Sequence, residues 1–503
     1  HYAEFDSLLK TIRLIQSPEE AQHDHQRIYV PVIGMQSKVS KFKDDPNIHI
    51  WEYRSGTEYD NYHLILTKGT TYGVKGLEEH YTLCEDLRHW IALWKNVGAK
   101  IKPQIICTSK CIFANSNNAQ PDNAFKYTIC NNAFEFLTKG LRIDFGKLNA
   151  REEDMPYWEE LASNIDVADF DFDAFVNQRF NTSSLNEENA FVQTWFEYRD
   201  EFSRWLLKTY FVWKTEESNY LIRVLENVAS LGSSDLFSQI ATQIFEEPLD
   251  ETSISQRLAL LREAKRQHVQ ITSLAEQKVK AKLSAMAADP ERGPLFAMKY
   301  MSPLTLSEQC LMTEWVGHGK IEKNYIKILF PELYAYLLPS SVQTEKVNGW
   351  INEYFQEYCL SKVGNSQTEN LTNKLKELNA SQVSFETWRN GFKTVKTFMH
   401  NRQDIDIYYW IDGLGVDWIP FIAQVVEKHK ADGVFLNEIY VAASELPTVT
   451  SVNKTKLDEM ADGKLVKIGD VDKFAHTPKK YPAYLIEEFR IVEDAISKFL
   501  SLY

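Results

Sequence analysis

Short apolar segments alternate with polar turns in the C-terminal part of the chain, and this alternation constrains the fold more than any other feature. The aromatic segment Tyr408–Ile411 runs directly into Asp412 and Gly413. A carboxylate at the carboxyl end of a parallel strand lies where α/β sheets place their ligands, and glycine lets the backbone leave the sheet sharply. The pattern predicts an α/β domain with a functional edge, although an isolated Asp-Gly pair also describes an ordinary turn.

A second apolar segment, Gly433–Val441, predicts another strand. It leads through Pro447 to Thr450, which precedes a predicted helix from Lys454 to Met460. Free N–H groups and the helix dipole favour an anion such as phosphate near a helix N-terminus. A hydroxyl group there can act as a nucleophile when a cation lowers its pKa. Thr450 is therefore a candidate nucleophile.

A third apolar segment, Lys464–Ile468, predicts a short strand that leads to Asp472 and His476. An aspartate followed four residues later by a histidine is a spacing that can bind zinc through oxygen and nitrogen. The run from Tyr481 to Leu502 then predicts a helix. The C-terminal part thus offers a carboxylate, a hydroxyl and a carboxylate–imidazole pair, each after a predicted strand.

The order Ile-Asp-Gly-Leu, then Pro-Thr-x-Thr-x-x-Asn, then Asp-x-x-x-His resembles the alkaline phosphatase superfamily, particularly its phosphodiesterase-like members. Within that superfamily, the segment from roughly Asn401 to Tyr503 resembles a PglZ domain, the phosphatase-like domain of BREX-type bacterial phage-defence systems. The helical sequence from Met301 to Leu338 also resembles sequence that precedes PglZ domains.

The resemblance implies a role for each candidate residue. Asp412 would ligate one metal ion, and Thr450 would face the metals as the nucleophile that forms a phosphothreonine intermediate. Asn453 would steady a phosphate oxygen. Asp472 and His476 would hold the second ion. Two divalent ions, zinc or manganese, lie about 4 Å apart in such sites and neutralise charge on the transferred group.

Members of this family also use an Asp-His-Gly turn and a final histidine, which the sequence up to Tyr503 does not show. We therefore expect a C-terminally incomplete PglZ domain, and favour a piece of a longer protein over a naturally shortened, inactive form. The expected activity is that of a metal-dependent phosphatase or phosphodiesterase, nucleases included, acting on a phosphate ester or a nucleic acid. The alternative is a catalytically inactive scaffold of the same defence system, with other BREX proteins as partners in either case.

Each candidate residue also has a plain structural explanation. Asp412 could cap a turn, Thr450 could be a helix N-cap, and Asn453 could be an ordinary polar residue of a first helical turn. Asp472 and His476 could be a solvated pair in a loop. The joint order of the residues favours the functional interpretation. A sulfatase is disfavoured because the sequence around Thr450 lacks the Cys/Ser-x-Pro-x-Arg pattern, whereas a phosphomutase stays open.

The rest of the chain predicts two further domains. Residues 1–150 predict an N-terminal α/β domain with an intervening helix at His80–Trp94, and residues 151–398 predict a helical middle domain; the C-terminal α/β domain occupies 399–503. The candidate strands of the first domain are Arg27–Ile33, Asn47–Tyr53, Tyr62–Thr67 and Lys102–Thr108. Neither a Gly-x-Gly-x-x-Gly nor a P-loop motif is present.

The stretch around Arg262 to Lys282 predicts one long amphipathic helix with a basic face. A solvated face of a bundle helix is the favoured interpretation, and a DNA- or partner-contacting arm is the alternative. Turn-forming residues at Asp289–Pro294 and Gly364–Asn370 predict breaks between helices.

Charge, hydropathy and cysteine content narrow the class of protein that the sequence can encode. The formal net charge of −14 argues against a globally basic nucleic-acid binder. No run of eighteen apolar residues predicts a membrane span. The 6 cysteines are spread thinly, as in a reducing compartment, which predicts a cytoplasmic protein. Cys107, Cys111 and Cys130 could bind a metal, but buried free thiols are the favoured interpretation.

Overall fold

The computed structural model describes residues 10, 39, 42, 44–46, 48–50, 62–68, 70–95, 102–108, 126–246, 250–339, 351–380, 389–400, 402 and 404–502. The protein is of mixed α/β class, as predicted, and divides into two compact units, His1–Glu216 and Glu217–Tyr503. The predicted strand Arg27–Ile33 lies outside the described residues, as does most of Asn47–Tyr53. The division at residues 150 and 398 stays a prediction.

The first unit is built on a small parallel sheet in which every described pairing is parallel. Its strands are β1 (His63–Thr67), β2 (Thr82–Cys84), β3 (Gln104–Cys107) and β4 (Lys126–Cys130), in the order β2-β3-β1-β4. The central strand β1 buries Leu64 and Ile65, and its neighbour β3 buries Ile105 and Ile106. Apolar residues on both faces are what a parallel sheet covered by helices requires.

Two of the strands predicted in this unit are confirmed, since β1 and β3 lie within Tyr62–Thr67 and Lys102–Thr108. The single helix predicted at His80–Trp94 is wrong. The chain forms β2 there first, and the helix begins only at Leu87. Leu83 and Cys84 of β2 pair with Ile106 and Cys107 of β3, so a tertiary pairing decides the local structure.

Helices connect strands of this sheet and continue after it in the first unit. They are α1 (Leu77–His80), α2 (Leu87–Lys95), α3 (Ala133–Glu135), α4 (Met155–Asn164), α5 (Phe172–Phe180), α6 (Glu188–Glu197) and α7 (Glu201–Lys214). Trp158 of α4 and Trp205 of α7 are fully buried and meet edge to face, with ring centroids 5.0 Å apart. The aromatic residues of this region therefore form core, as the helical spacing predicts.

The cysteines of the sheet are buried thiols. Cys84, Cys107 and Cys130 end β2, β3 and β4, and all three are at most 1% exposed. Burial raises the pKa of the Cys130 thiol to about 11. The predicted burial is confirmed for Cys107 and Cys130, whereas Cys111 lies outside the described residues.

The second unit begins with a helical array. Its helices are α8 (Tyr220–Asn227), α9 (Ser233–Gln243), α10 (Glu251–Arg266), α11 (Ser273–Ala287), α12 (Gly293–Ala297), α13 (Leu306–Gly317), α14 (Pro331–Tyr336), α15 (Ile351–Val363), α16 (Glu369–Ala380) and α17 (Val395–His400). Among the described residues, no helix of either unit combines the length and the apolar composition needed to cross a membrane.

The single long basic helix predicted from Arg262 to Lys282 is wrong. The chain leaves the helical conformation after Arg266, passes through His268 with φ +53°, and starts α11 after the N-cap Thr272. Two helices of 16 and 15 residues replace the single one, and Thr272 caps the N-terminus of the second by accepting from the Ala275 N–H. Leu261 of α10 and Val279 of α11 are buried, whereas Leu274 in the first turn of α11 is 75% exposed.

A second, two-stranded parallel sheet follows. Its strands are β5 (Tyr408–Ile411) and β6 (Leu465–Ile468), and it is accompanied by α18 (Ile419–Lys428), α19 (Thr450–Ala461), α20 (Asp470–Ala475) and α21 (Ala483–Leu502). Both strands and the last helix match the predicted segments. The strand predicted at Gly433–Val441 is wrong: the segment makes no ladder in the described structure, and Phe435 and Leu436 are exposed.

Candidate functional site

The ends of β5 and β6 bring the C-terminal candidate residues to one edge. The strands run parallel with Ile411 opposite Ile468, so the residues that follow them emerge side by side. Asp412 continues the ladder by donating its N–H to the Ile468 carbonyl at 2.8 Å. The turn that leaves β5 therefore lies against the turn that leaves β6, as expected for the ligand edge of a parallel sheet.

Gly413 allows the two turns to approach closely. Its φ is +79°, and a Cβ at this position would lie 2.9 Å from the Asp472 Cα and 3.0 Å from the Asp472 N. Both the backbone conformation and the contact exclude a larger side chain without rearrangement. Glycine thus lets the turn after β5 lie against the backbone of α20.

Thr450 is the first residue of α19 and contacts Asp412. Its Oγ1 donates to the Asp412 carboxylate, with both carboxylate oxygens 3.1 Å away. The N-cap position is occupied by Val449, which makes no side-chain cap. The Thr450 hydroxyl therefore does not cap the helix. The predicted position of Thr450 at a helix N-terminus is confirmed. Thr450 and Asp412 are 38 residues apart in sequence.

Lys467 is a site residue that the sequence did not single out. It lies on β6 opposite Trp410, and its Nζ is 2.6 Å from the Asp412 Oδ2. The Asp412 side chain is 13% exposed and that of Lys467 is 26% exposed, so this ion pair is partly shielded from water. The sequence shows a charged residue, Lys467, between two apolar residues of a predicted strand. Only the strand register shows that its side chain lies on the same side as Asp412.

The Asn453 side chain makes hydrogen bonds to the backbone of the preceding loop. Its Oδ1 accepts from the Glu445 N–H at 2.9 Å, and its Nδ2 donates to the carbonyls of Glu445 at 3.3 Å and Val449 at 3.2 Å. The residue is buried. These contacts fix the loop that delivers Thr450, and the phosphate-steadying role of Asn453 stays a prediction.

Asp472 and His476 lie on and just after the short helix α20. The Asp472 Oδ1 and the His476 Nε2 are 3.8 Å apart, and their side chains are half and mostly exposed. The pair is close enough to share a ligand. Both side chains are exposed to solvent, as in the alternative of a solvated pair. Asp472 lies on a helix, however, and not in a loop.

The donors can be compared with what two divalent ions need. Carboxylate, hydroxyl and imidazole groups suit zinc or manganese. However, within the part of the chain that the structure describes, no group of three His, Cys, Asp or Glu side chains could hold an ion. The Lys467 ammonium also lies on the Asp412 carboxylate. The described residues therefore do not make a complete two-metal centre.

A buried polar cluster lies immediately after the Asp412 turn. Asp417 accepts from the Tyr336 hydroxyl at 2.6 Å, and the Lys362 Nζ lies 3.4 Å from Asp417 and 3.1 Å from Glu488. Burial raises the pKa of Glu488, against the opposing effect of Lys362. Burial alone would lower the pKa of Lys362, but Glu488 and Asp417 outweigh it and raise that pKa. One ammonium thus serves two carboxylates and ties this segment to three helices.

The structure therefore brings Asp412, Thr450 and Lys467 into contact and sets Gly413 against the Asp472 backbone. It gives no side-chain contact from Asp412 to the Asp472–His476 pair. Comparisons with protein-family models, with curated proteins and with solved structures found no match.

Proposed function

We propose that the second unit carries a phosphoryl-transfer site of the kind found in metal-dependent phosphatases and phosphodiesterases, with Thr450 as the acceptor of the phosphoryl group. The observation that carries this proposal is the contact between the Thr450 hydroxyl and both oxygens of Asp412 at 3.1 Å. A hydroxyl, a carboxylate and the N-terminus of a twelve-residue helix then meet at one sheet edge. These are the parts that phosphoryl transfer to a hydroxyl requires.

Phosphoryl transfer to Thr450 can be described with residues of this chain and water. The Thr450 oxygen forms a bond to phosphorus while the bond from phosphorus to the ester oxygen breaks. The hydroxyl proton passes to Asp412, which already accepts the hydrogen bond. The leaving oxygen takes a proton from a water molecule, and the hydroxide so formed takes the proton that Asp412 received. A second water molecule then bonds to phosphorus while the bond from phosphorus to the Thr450 oxygen breaks, and a proton of that water returns to the Thr450 oxygen as phosphate leaves. The backbone N–H groups at the start of α19 favour the anionic phosphoryl group.

The resemblance to PglZ domains adds the biological part of the proposal. It implies two divalent ions, zinc or manganese, a role in phage defence with other BREX proteins, and a cytoplasmic location. A phosphate ester or a nucleic acid is the substrate class. The described residues supply at most pairs of donors for such ions, so the steps above involve only groups of this chain.

The test is hydrolysis of p-nitrophenyl phosphate and bis(p-nitrophenyl) phosphate with Mn²⁺ or Zn²⁺ supplied. We expect Thr450→Ala to lower the rate at least about 100-fold, the scale of losing a catalytic group. Ser451→Ala is the matched control, because Ser451 carries a neighbouring exposed hydroxyl on the same helix, and its rate should stay within about twofold of wild type. Acid quenching should trap a phosphoryl group on Thr450, identified by peptide mass spectrometry.

Two results would contradict the proposal. Hydrolysis by Thr450→Ala at the wild-type rate, with an unchanged melting temperature, would remove Thr450 from the nucleophile's role. Absence of hydrolysis by the wild-type chain with either substrate and either ion would favour the second candidate, a catalytically inactive scaffold. The observation that supports this alternative is the exposure of Asp472 and His476, whose side chains meet no third donor in the described structure.

A further inference from the structure

Lys467 and Thr450 both contact the Asp412 carboxylate, but they divide its two oxygens unequally. The Lys467 Nζ lies 2.6 Å from Oδ2, whereas the Thr450 Oγ1 lies 3.1 Å from both Oδ1 and Oδ2. A threonine hydroxyl has a single proton to donate, so the two oxygens compete for it. The ammonium on Oδ2 therefore distinguishes two oxygens that the hydroxyl contacts at equal distances.

The ammonium is held in place by the sheet. Lys467 lies on β6 opposite Trp410 of β5, and its Nζ is 5.3 Å from the centroid of the Trp410 ring, within cation–π range. The Lys467 and Asp412 side chains are 26% and 13% exposed, so water screens their ion pair less than it screens a surface pair. The nearby pair Lys473–Asp470 joins side chains that are 79% and 56% exposed, at 3.6 Å. Lys467 therefore fixes the Asp412 carboxylate more firmly than a surface lysine would.

An ammonium on one carboxylate oxygen makes the other oxygen the better acceptor of a proton. A proton on Asp412 Oδ2 would lie against the Lys467 ammonium, whose Nζ is 2.6 Å away, and the two positive charges would repel each other. A proton on Oδ1 would avoid that short contact and would come from the Thr450 hydroxyl, 3.1 Å away. The geometry thus separates an oxygen that is held from an oxygen that accepts.

We propose that Lys467 is a positioning residue of the phosphoryl-transfer site and makes Asp412 Oδ1 the acceptor of the Thr450 proton. The ammonium holds Oδ2, and the carboxylate presents Oδ1 to the hydroxyl. As the Thr450 oxygen bonds to phosphorus and the ester oxygen leaves, the hydroxyl proton passes to Oδ1, while the ammonium keeps its own protons. This inference rests on the proposed function and adds a residue of β6 to its site.

The first test is steady-state hydrolysis of the two nitrophenyl substrates, in the assay that tests Thr450→Ala. We expect Lys467→Met to lower kcat at least about tenfold with KM within about twofold of wild type, because a misplaced proton acceptor slows the chemical step without touching the substrate. Lys467→Arg keeps a cation on the strand and should be faster than Lys467→Met. Lys473→Met removes a lysine from the exposed pair nearby and should stay within about twofold of the wild-type rate.

A double-variant cycle shows whether Lys467 acts through Asp412. In an Asp412→Asn background, Lys467→Met should lower kcat no further, because the carboxylate that the lysine positions is gone. Circular dichroism of each variant checks the fold, and Lys467→Gln replaces Lys467→Met throughout if the latter unfolds.

A second cycle follows the same contact without hydrolysis. Thr450→Ala should lower the midpoint of urea unfolding less in a Lys467→Met background than in wild type, because a carboxylate that the ammonium no longer holds bonds the hydroxyl less well. In a Lys473→Met background, the loss caused by Thr450→Ala should equal the loss in wild type, because that lysine belongs to a different ion pair.

Several outcomes would overturn the inference. A kcat at or above the wild-type value in Lys467→Met and Lys467→Gln would show that the ammonium does not aid the proton acceptor, and a further loss in the Asp412→Asn background would place its effect elsewhere. Equal midpoint losses for Thr450→Ala with and without Lys467 would overturn it as well, whether or not the chain hydrolyses either substrate. Absence of hydrolysis together with a smaller midpoint loss would instead reject the proposed function and support the positioning of Asp412 by Lys467.

Discussion

Gly413 meets two constraints at once, and they can be separated by experiment. Its φ of +79° suits glycine, and a Cβ would overlap the Asp472 backbone. Gly463 has nearly the same φ, +78°, but a Cβ there would meet nothing within 4 Å. We expect Gly463→Ala to lower the free energy of unfolding by about 1 kcal/mol through backbone strain. Gly413→Ala should lower it by about 3 kcal/mol, since the overlap adds to that strain.

Urea unfolding followed by circular dichroism measures both values in the same chain. The difference between the two variants isolates the contact between the turns after β5 and β6 from the cost of the backbone conformation. Equal losses of stability in the two variants would mean that the contact with Asp472 adds nothing.

At the scale of single residues, the sequence singled out one residue that follows a strand and one that begins a helix. Asp412 and Thr450 were both singled out, and they meet although 38 positions separate them. Lys467 was missed because an alternating strand pattern does not say which residue of the partner strand lies opposite. The contacts of Asn453 with the loop backbone were likewise invisible, because an amide that fixes a loop and one that binds a ligand look alike in sequence.

Between elements, the Lys362 cluster joins the segment after Asp412 to α14, α15 and α21. Removing the ammonium would leave Asp417 and Glu488 buried without their shared cation. We expect Lys362→Met to lower the free energy of unfolding by about 3 kcal/mol, as when one partner of a buried pair is deleted. The matched control is Lys374→Met, whose partner Glu353 is 75% exposed, and it should cost less than about 1 kcal/mol.

The free energy of unfolding of Lys362→Met should depend on pH, because the pKa of Glu488 is raised. A carboxyl group whose pKa is higher in the folded state binds more protons when folded, so its stability contribution falls as pH rises between the unfolded and folded pKa values. Without Lys362, that pKa should rise further. The loss in Lys362→Met should therefore be smaller near about pH 5 than near about pH 8. Urea titrations at both values measure this, and a loss that is independent of pH would contradict it.

Elements were predicted where local pattern and tertiary pairing agree. The strands β1, β3, β5 and β6 and the last helix satisfy both conditions. The errors fall where they disagree. Thr82–Cys84 is a strand because β3 pairs with it, and Gly433–Val441 has an apolar sequence but forms no strand in the described structure. Thr272 starts a second helix where the apolar spacing had predicted a single one.

At the scale of the whole molecule, composition and alternation predicted a mixed α/β and helical protein, and the division at residues 150 and 398 stays a prediction. The compact units meet at Glu216 and Glu217, whereas the change in sequence pattern lies near residue 150. The helices that follow β4 pack with the first unit through long-range aromatic contacts, as when Phe145 meets Trp158 and Phe172. Sequence patterns report local periodicity, and such contacts are not local.

The segment between the units is the expected site of first proteolytic cleavage. It joins α7 to α8 outside any helix, and Glu216, Glu217 and Ser218 are exposed there. Under limited digestion with a glutamate-specific protease, we expect cleavage in this segment and a stable product running from it to the C-terminus, because exposed irregular loops are cut before helices. Mass spectrometry identifies the product. The double variant Glu216→Gln/Glu217→Gln should lose this cleavage, whereas early cutting within α8 to α11 instead would contradict an independently compact second unit.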